Sequence, residues 1–311
     1  MARPKIEMYS QTPFFDNKEI TSYKNRNYAS VTNYFTDKNE ALSLNVYVPK
    51  PVDKTAGKYP LIVLAHGGAF QAGDKKIFAD TCFELAKRGF VAATINYRIG
   101  WNERREYGKC RGDSWDLLRA WYNGVQDMNT AIQTLITQIP VIDSNCVFVG
   151  GSSAGAALAL GVSYVKQNDV DEWRPEYHQL YGKLNTGQQN FKIKGCISMW
   201  GAMLSTRAMK TTIPALFLHG TSDESIPFDS SFYLKCRIYP KTVGARPIAR
   251  KLEELNVPYH FYAKKGAGHG HAFWTEKEKN TALITFLSQA MKGNIRKTIK
   301  VSQYTTRTEL V

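Results

Sequence analysis

Three side chains, spaced along the chain, have the chemistry needed to transfer an acyl group. They are a serine in a glycine-flanked turn, an aspartate just past an apolar run, and a histidine in a glycine-rich loop. Val147-Phe148-Val149 leads into Gly150-Gly151-Ser152-Ser153-Ala154-Gly155, and the last five residues fit G-x-S-x-G, the nucleophile-elbow pattern. A serine at the apex of a sharp turn needs flanking positions nearly bare of side chain. The stretch Ala154 to Tyr164 reads as a helix rich in Gly and Ala, which lets it pack close to a sheet. Its N-terminus places unpaired N–H groups and the positive end of the helix dipole near Ser153.

A serine hydroxyl is a poor nucleophile without a base, and the base is oriented by a carboxylate. Of six histidines, His269 lies in Gly266-Ala267-Gly268-His269-Gly270, directly after the last apolar run, with His271 as a competitor two residues on. Asp223 follows Leu218-His219-Gly220-Thr221-Ser222 and precedes Glu224, the neighbouring alternative. Serine, acid and base thus occur in the order of the nucleophile-elbow enzymes. A tetrahedral intermediate also needs donors for its oxyanion. His66-Gly67-Gly68-Ala69-Phe70 follows a buried apolar run, and the N–H groups of Gly68, Ala69 and Ala154 are the candidate donors. Phe70, Ser152 and Trp200 are candidate pocket residues.

These positions require strands that end at one edge. Leu61 to Ala65, Phe90 to Ile95, Cys146 to Val149, Ile193 to Met199, Ala215 to Leu218 and Tyr259 to Ala263 are apolar runs of strand length. Between them lie helical stretches at about 76–88, 115–138, 154–164 and 247–256, with a last helix at 275–291. Strands alternating with helices predict an α/β fold with a mostly parallel sheet. Tyr28 to Phe35 and the alternating Leu42 to Val48 are adjacent without a helix, so the sheet begins antiparallel. Residues 1–27 read as a surface arm, and 28–311 as one domain. Residues 168–191, polar and aromatic, interrupt the alternation as a small lid insertion, while 225–246 reads as loop.

The totals bound the rest. The chain has 311 residues and a formal net charge of +14, from 41 basic and 27 acidic residues. The basic residues are scattered and no nucleic-acid motif is present, so a solvated basic surface is expected rather than a nucleic-acid partner. No apolar run approaches a membrane span. Residues 1–20 lack the apolar core of a signal peptide, which leaves two compartments open: cytoplasmic, or secreted or periplasmic after processing. The five cysteines show no metal spacing. Cys196 is expected as a buried thiol, and Cys82 and Cys110 as the pair that would join in an exported protein. Oligomeric state is not legible.

With the motifs in order, His66 to Lys75, Asn96-Tyr97-Arg98, Gln126-Asp127, Gly151 to Gly155, His219 to Asp223 and Gly266 to Gly270, the chain resembles the α/β-hydrolase carboxylesterases. Within them it is similar to the group of hormone-sensitive-lipase-like and glycan acyl esterases. The resemblance spans roughly residues 28–291. It implies an α/β-hydrolase fold and hydrolysis of an acyl ester through an acyl-enzyme, without a cofactor or metal. Ser153, Asp223 and His269 would form the triad. Ala69 stands where many relatives carry a third glycine. Arg98 and Asp127 are expected to pair as buried scaffold. Trp200 and the 168–191 insertion are expected to line the acyl or alcohol side of a short-chain or glycan-linked ester. The alternatives are a serine peptidase of the prolyl-oligopeptidase type, for whose extra domain the length leaves no space, and a non-catalytic binding protein of the same fold.

Overall fold

The structure is a computed structural model that describes residues 8–51, 58–185 and 190–304. The expectations for residues 1–7, 52–57, 186–189 and 305–311 fall outside the described residues. The chain begins with β1 (Ile20–Asn33) and β2 (Lys38–Pro49), then β3 (Tyr59–Ala65), α1 (Ala79–Ala86), β4 (Val91–Ile95) and α2 (Ser114–Gln138). It continues with β5 (Ile142–Ser152), α3 (Ala154–Tyr164), α4 (Gln167–Asp171), α5 (Pro175–Tyr181), β6 (Ile193–Met199) and β7 (Ala215–Gly220). A two-stranded hairpin of β8 (Ser230–Phe232) and β9 (Lys241–Val243) follows. The chain then forms α6 (Ala245–Glu254), β10 (Tyr259–Lys265), α7 (Glu276–Met291) and β11 (Thr298–Gln303).

Among the described residues the main sheet runs β1-β2-β4-β3-β5-β6-β7-β10-β11. The β1/β2 and β2/β4 pairs are antiparallel and all others parallel. Leu61, Ile62, Val63 and Leu64 of β3 are fully buried, as a strand covered on both faces should be. This is an α/β-hydrolase fold, a mostly parallel sheet flanked by helices.

Four local expectations are corrected. β1 starts at Ile20, not near Tyr28, and Met8, Phe14 and Phe15 are buried in the core, so residues 8–27 are in part core and sheet rather than a surface arm. Tyr23 to Asn27 lie on an exposed edge of the sheet, where no buried face forces apolar alternation, and so the strand left no pattern. The last strand is β11, not β10. Its apolar residues Ile299 and Val301 are 54% and 67% exposed, so it too carried no burial signal. The 225–246 segment contains the β8/β9 hairpin. Finally, Cys110 pairs with Cys236, 126 residues away, while Cys82 is a buried free thiol. Cys82 is fully buried in α1, which packs against β4 and β2 of the sheet.

Arg98 and Asp127 pair as expected. The Arg98 guanidinium reaches Asp127 Oδ1 at 2.7 Å, and its backbone N–H donates to Asp127 Oδ2 at 2.8 Å. The same guanidinium donates to Thr32 O, Asn123 O and Gln126 Oε1, which ties the loop after β4 to α2 and the end of β1. Removing one partner strands the other charge in the interior. Arg98→Ala is therefore expected to cost roughly 3–5 kcal/mol of stability by denaturant unfolding. An unchanged midpoint would show that the pair is not the clamp described.

Candidate active site

Four strands deliver the site residues at their carboxyl ends: β3, β5, β7 and β10, all within the parallel part of the sheet. In open α/β sheets ligands bind beyond that edge. Ser153 follows β5 directly and sits at φ +52°, ψ −118°, a conformation that L-residues adopt only at a cost of about 1–3 kcal/mol. The turn is held by Ser153 N–H donating to Met199 O at 2.9 Å, and by Gly155, where an added Cβ would lie 2.1 Å from Ala65 O. Glycine at 155 is thus dictated by the contact between α3 and β3.

The structure brings Ser153, His269 and Asp223 into one hydrogen-bonded chain. Ser153 Oγ is 2.9 Å from His269 Nε2, and His269 Nδ1 is 2.7 Å from Asp223 Oδ2. Asp223 Oδ1 accepts the backbone N–H of Ser225 at 2.9 Å and of Ile226 at 2.8 Å. With Nδ1 facing a carboxylate, the His269 proton belongs there, and Nε2 is free to accept from the serine. Burial alone would raise the Asp223 carboxyl. Hydrogen bonds from His219 and His269 outweigh it and hold the group down at about 2.

His219 is the residue the sequence did not assign. It is fully buried at the end of β7, with Nε2 3.4 Å from Asp223 Oδ2 and 3.2 Å from Ile226 O. Both neighbours are acceptors, which fixes its proton on Nε2. The i, i+4 spacing to Asp223 was the available signal, but only the turn after β7 folds His219 back against the carboxylate.

The two alternative residues go elsewhere. His271 Nδ1 meets the Lys279 ammonium at 2.8 Å, and burial together with that charge pushes the imidazole down to about 4. Its ring packs on Trp200 rather than on Asp223. Glu224 is exposed and pairs with Lys235 at 2.6 Å.

The loop after β3 is folded on itself: Gly68 O accepts from Gln71 and Ala72, and Tyr97 Oη donates to His66 O. Gly68, at φ +114°, and Ala69, at φ +55°, offer N–H groups with no acceptor among the described residues. The N–H of Ala154, at the first position of α3, has no partner within its helix. Gly67 lies against the elbow, where its Cβ would be 3.2 Å from Ser153 Cβ.

Two hollows meet at Ser153. One is an open cleft of about 880 Å³, lined by Gly67, Gly68, Ala69, Ser152, Trp200 and His269, with Gln71, Asp74 and Lys76 on its polar side. The other is a narrow apolar hollow of about 70 Å³, lined by Phe70, Leu117, Leu118, Trp121, Ala154 and Ile226 among others. The three candidate pocket residues are therefore divided: Phe70 faces the apolar hollow, and Ser152 and Trp200 the cleft. Trp200, almost wholly buried, also packs edge-on against His269. The 168–191 segment forms α4 and α5; among its described residues, none lines either hollow at Ser153. Glu172 and Trp173 instead line a separate cavity nearby.

Among the described residues no group of three or more His, Cys, Asp or Glu gathers to hold a metal ion. No helix among them is long and apolar enough to cross a membrane.

An α/β-hydrolase sheet with a serine elbow after β5 defines the class. The chain belongs to the carboxylesterase family, whose model matches residues 10–168. It is 34% identical over 121 residues to a neuroligin-like protein of Caenorhabditis elegans, covering 38% of this chain and 15% of that one. It is 33% identical over 125 residues to the fumonisin B1 esterase of Sphingopyxis macrogoltabida, covering 40% and 22%. The chain thus matches less than a quarter of either relative's length. Its fold is similar to that of a propionate-bound thermophilic esterase of the planctomycete Thermogutta terrifontis. There the TM-score is 0.54 at 21% identity, over 87% of this chain and 92% of that one.

Proposed function

We propose that the protein is a serine carboxylesterase that cleaves an ester with a short apolar acyl group and a larger, polar alcohol. The observation that carries this is the unbroken hydrogen-bonded chain from Asp223 through His269 to Ser153. Ser153 Oγ attacks the acyl carbonyl as His269 Nε2 takes its proton. The N–H groups of Gly68, Ala69 and Ala154 receive the oxyanion. His269 then protonates the leaving alcohol, and a water activated by the same imidazole releases the acid. Since the leaving oxygen must reach His269, and His269 lines the cleft and not the apolar hollow, the alcohol lies in the cleft. The acyl group points into the hollow. The polar side of the cleft suits a hydroxyl-rich alcohol such as a glycan.

The Cys110–Cys236 disulfide joins two loops beside the apolar hollow, and it supports maturation in an oxidising, extracytoplasmic compartment.

The test is turnover of p-nitrophenyl acetate and butyrate beside acetylated and feruloylated glycans, with a pre-steady-state burst as the mark of an acyl-enzyme. Release of acid from at least one ester, with a burst, is expected. Inactivity on every ester, or preference for a dipeptidyl anilide, would sink the proposal.

A further inference from the structure

The apolar hollow at Ser153 does not end in the bulk of the protein. Behind it lies a second cavity of about 340 Å³, and the two share the same four lining residues, Trp121, Ala157, Met203 and Leu204. A small chamber that touches the serine and one several times larger are therefore neighbours across these four residues. We infer that Trp121, flanked by Met203 and Leu204, is the partition that sets the length of acyl group this enzyme accepts. This inference rests on the esterase reading above and extends it to chain-length specificity.

The indole is held, not merely packed. Trp121 projects from α2, and its Nε1–H donates to Ala157 O on α3 at 3.2 Å. Gly161, one turn further along α3, leaves space for the ring: an added Cβ there would lie 3.1 Å from Cζ2 and 3.3 Å from Nε1. Met203 is fixed by paired backbone hydrogen bonds to Val243 of β9, at 3.0 and 2.8 Å. The partition is thus built from two separate parts of the chain, the indole tied to the backbone of α3 and Met203 tied to the backbone of β9.

The two chambers differ in character. The front one is lined almost wholly by apolar side chains and lies on the Ala154 side of Ser153. The rear one adds Asp169, Glu172, Arg207 and Lys210, and the Lys210 ammonium lies exposed, 3.7 Å from Asp169. An acyl chain that stops at the indole stays in apolar surroundings. A longer one meets the ring. With the indole gone, the same chain would run on into the rear chamber, its methylenes along Ala157, Met203 and Leu204 and its end near the charged rim. Each methylene taken out of water is worth roughly fourfold in binding, so the partition discriminates steeply with each added carbon.

The experiment measures kcat/KM of the wild type, Trp121→Ala, Leu204→Ala and Trp121→Phe on p-nitrophenyl esters from acetate to octanoate. Binding of butanoate and octanoate to the same proteins is measured alongside by calorimetry. The wild type is expected to fall off beyond butanoate. Trp121→Ala is expected to raise the octanoate-to-acetate ratio by about 10- to 100-fold and to bind octanoate over butanoate. Trp121→Phe shifts less. Leu204→Ala, at another residue that lines both cavities, moves the ratio the same way and keeps the test alive if Trp121→Ala does not fold. A wild type indifferent to chain length, or folded variants with unchanged ratios and unchanged acid binding, overturns the partition. If no protein hydrolyses any ester, the esterase reading fails by itself, and the acid-binding series still decides the partition.

Discussion

Ser153→Ala is expected to lower kcat for the best ester by roughly 10⁴- to 10⁶-fold, while the thermal midpoint moves by no more than a few degrees. The loss is large because, in the proposed mechanism, the hydroxyl oxygen is the atom that bonds to the acyl carbon. No other described nucleophile is hydrogen-bonded to His269, and Ser152, its neighbour, lines the cleft but makes no hydrogen bond to that ring. The fold should tolerate the change. The features that hold the turn are the N–H of residue 153 bonded to Met199 O and the bare Gly155, and alanine disturbs neither. Residual activity comes from the oxyanion donors and binding alone. The assay pairs steady-state turnover with labelling by a p-nitrophenyl phosphonate and mass determination. The wild type gains one adduct at Ser153 and the variant none. A variant that keeps a tenth of the activity would remove Ser153 from the mechanism.

Asp223→Asn is expected to cost about 10⁴-fold in kcat, and the geometry says why a single O-to-NH₂ change does so much. Asp223 Oδ1 accepts two backbone N–H groups, from Ser225 and Ile226. An amide nitrogen cannot take that place, because three donors would face one another. The carbonyl oxygen of the introduced amide must occupy it, which turns the NH₂ toward His269 Nδ1. The imidazole then has to accept at Nδ1 and carry its proton on Nε2, the tautomer that cannot take a proton from Ser153. His219, whose Nε2–H faces the same Oδ2, loses an acceptor at the same time.

This variant also has a stability signature. The folded carboxyl of Asp223 is held at about 2, below its unfolded value of 3.8. A depressed pKa means that the unfolded chain binds more protons in that interval. The contribution, roughly 2 kcal/mol, is therefore present above pH 3.8 and lost as pH falls through 2. Over that interval the unfolding free energy of the wild type should fall more steeply than that of Asp223→Asn. Parallel curves would show that the carboxylate is not held as described.

Much of this site was legible because its chemistry is written in local rules. An elbow needs small residues at fixed offsets, and apolar runs of strand length mark the buried strands β3 to β7 and β10. The loops that follow them therefore fall at one edge. The exposed edge strands were legible only in part. The second half of β1 was read from Tyr28 onward, but its first half and all of β11 are hydrogen-bonded along the sheet without burying a continuous face, so those residues carry no period for a sequence to show.

By itself, then, the sequence determined the alternation of the buried strands with their helices, the glycine-flanked serine, and the candidate acid and bases that follow it. Each is a local requirement of backbone conformation or burial. Only the tertiary structure decided which histidine meets Asp223, that Cys236 and not Cys82 joins Cys110, and that His219 lies behind the carboxylate. It alone also placed Trp121, Met203 and Leu204, from distant segments, in one wall beside Ser153. The reason is physical. These are contacts between residues separated by tens of positions, fixed by how helices and loops close over the sheet edge, and no spacing in the chain encodes a distance across that edge.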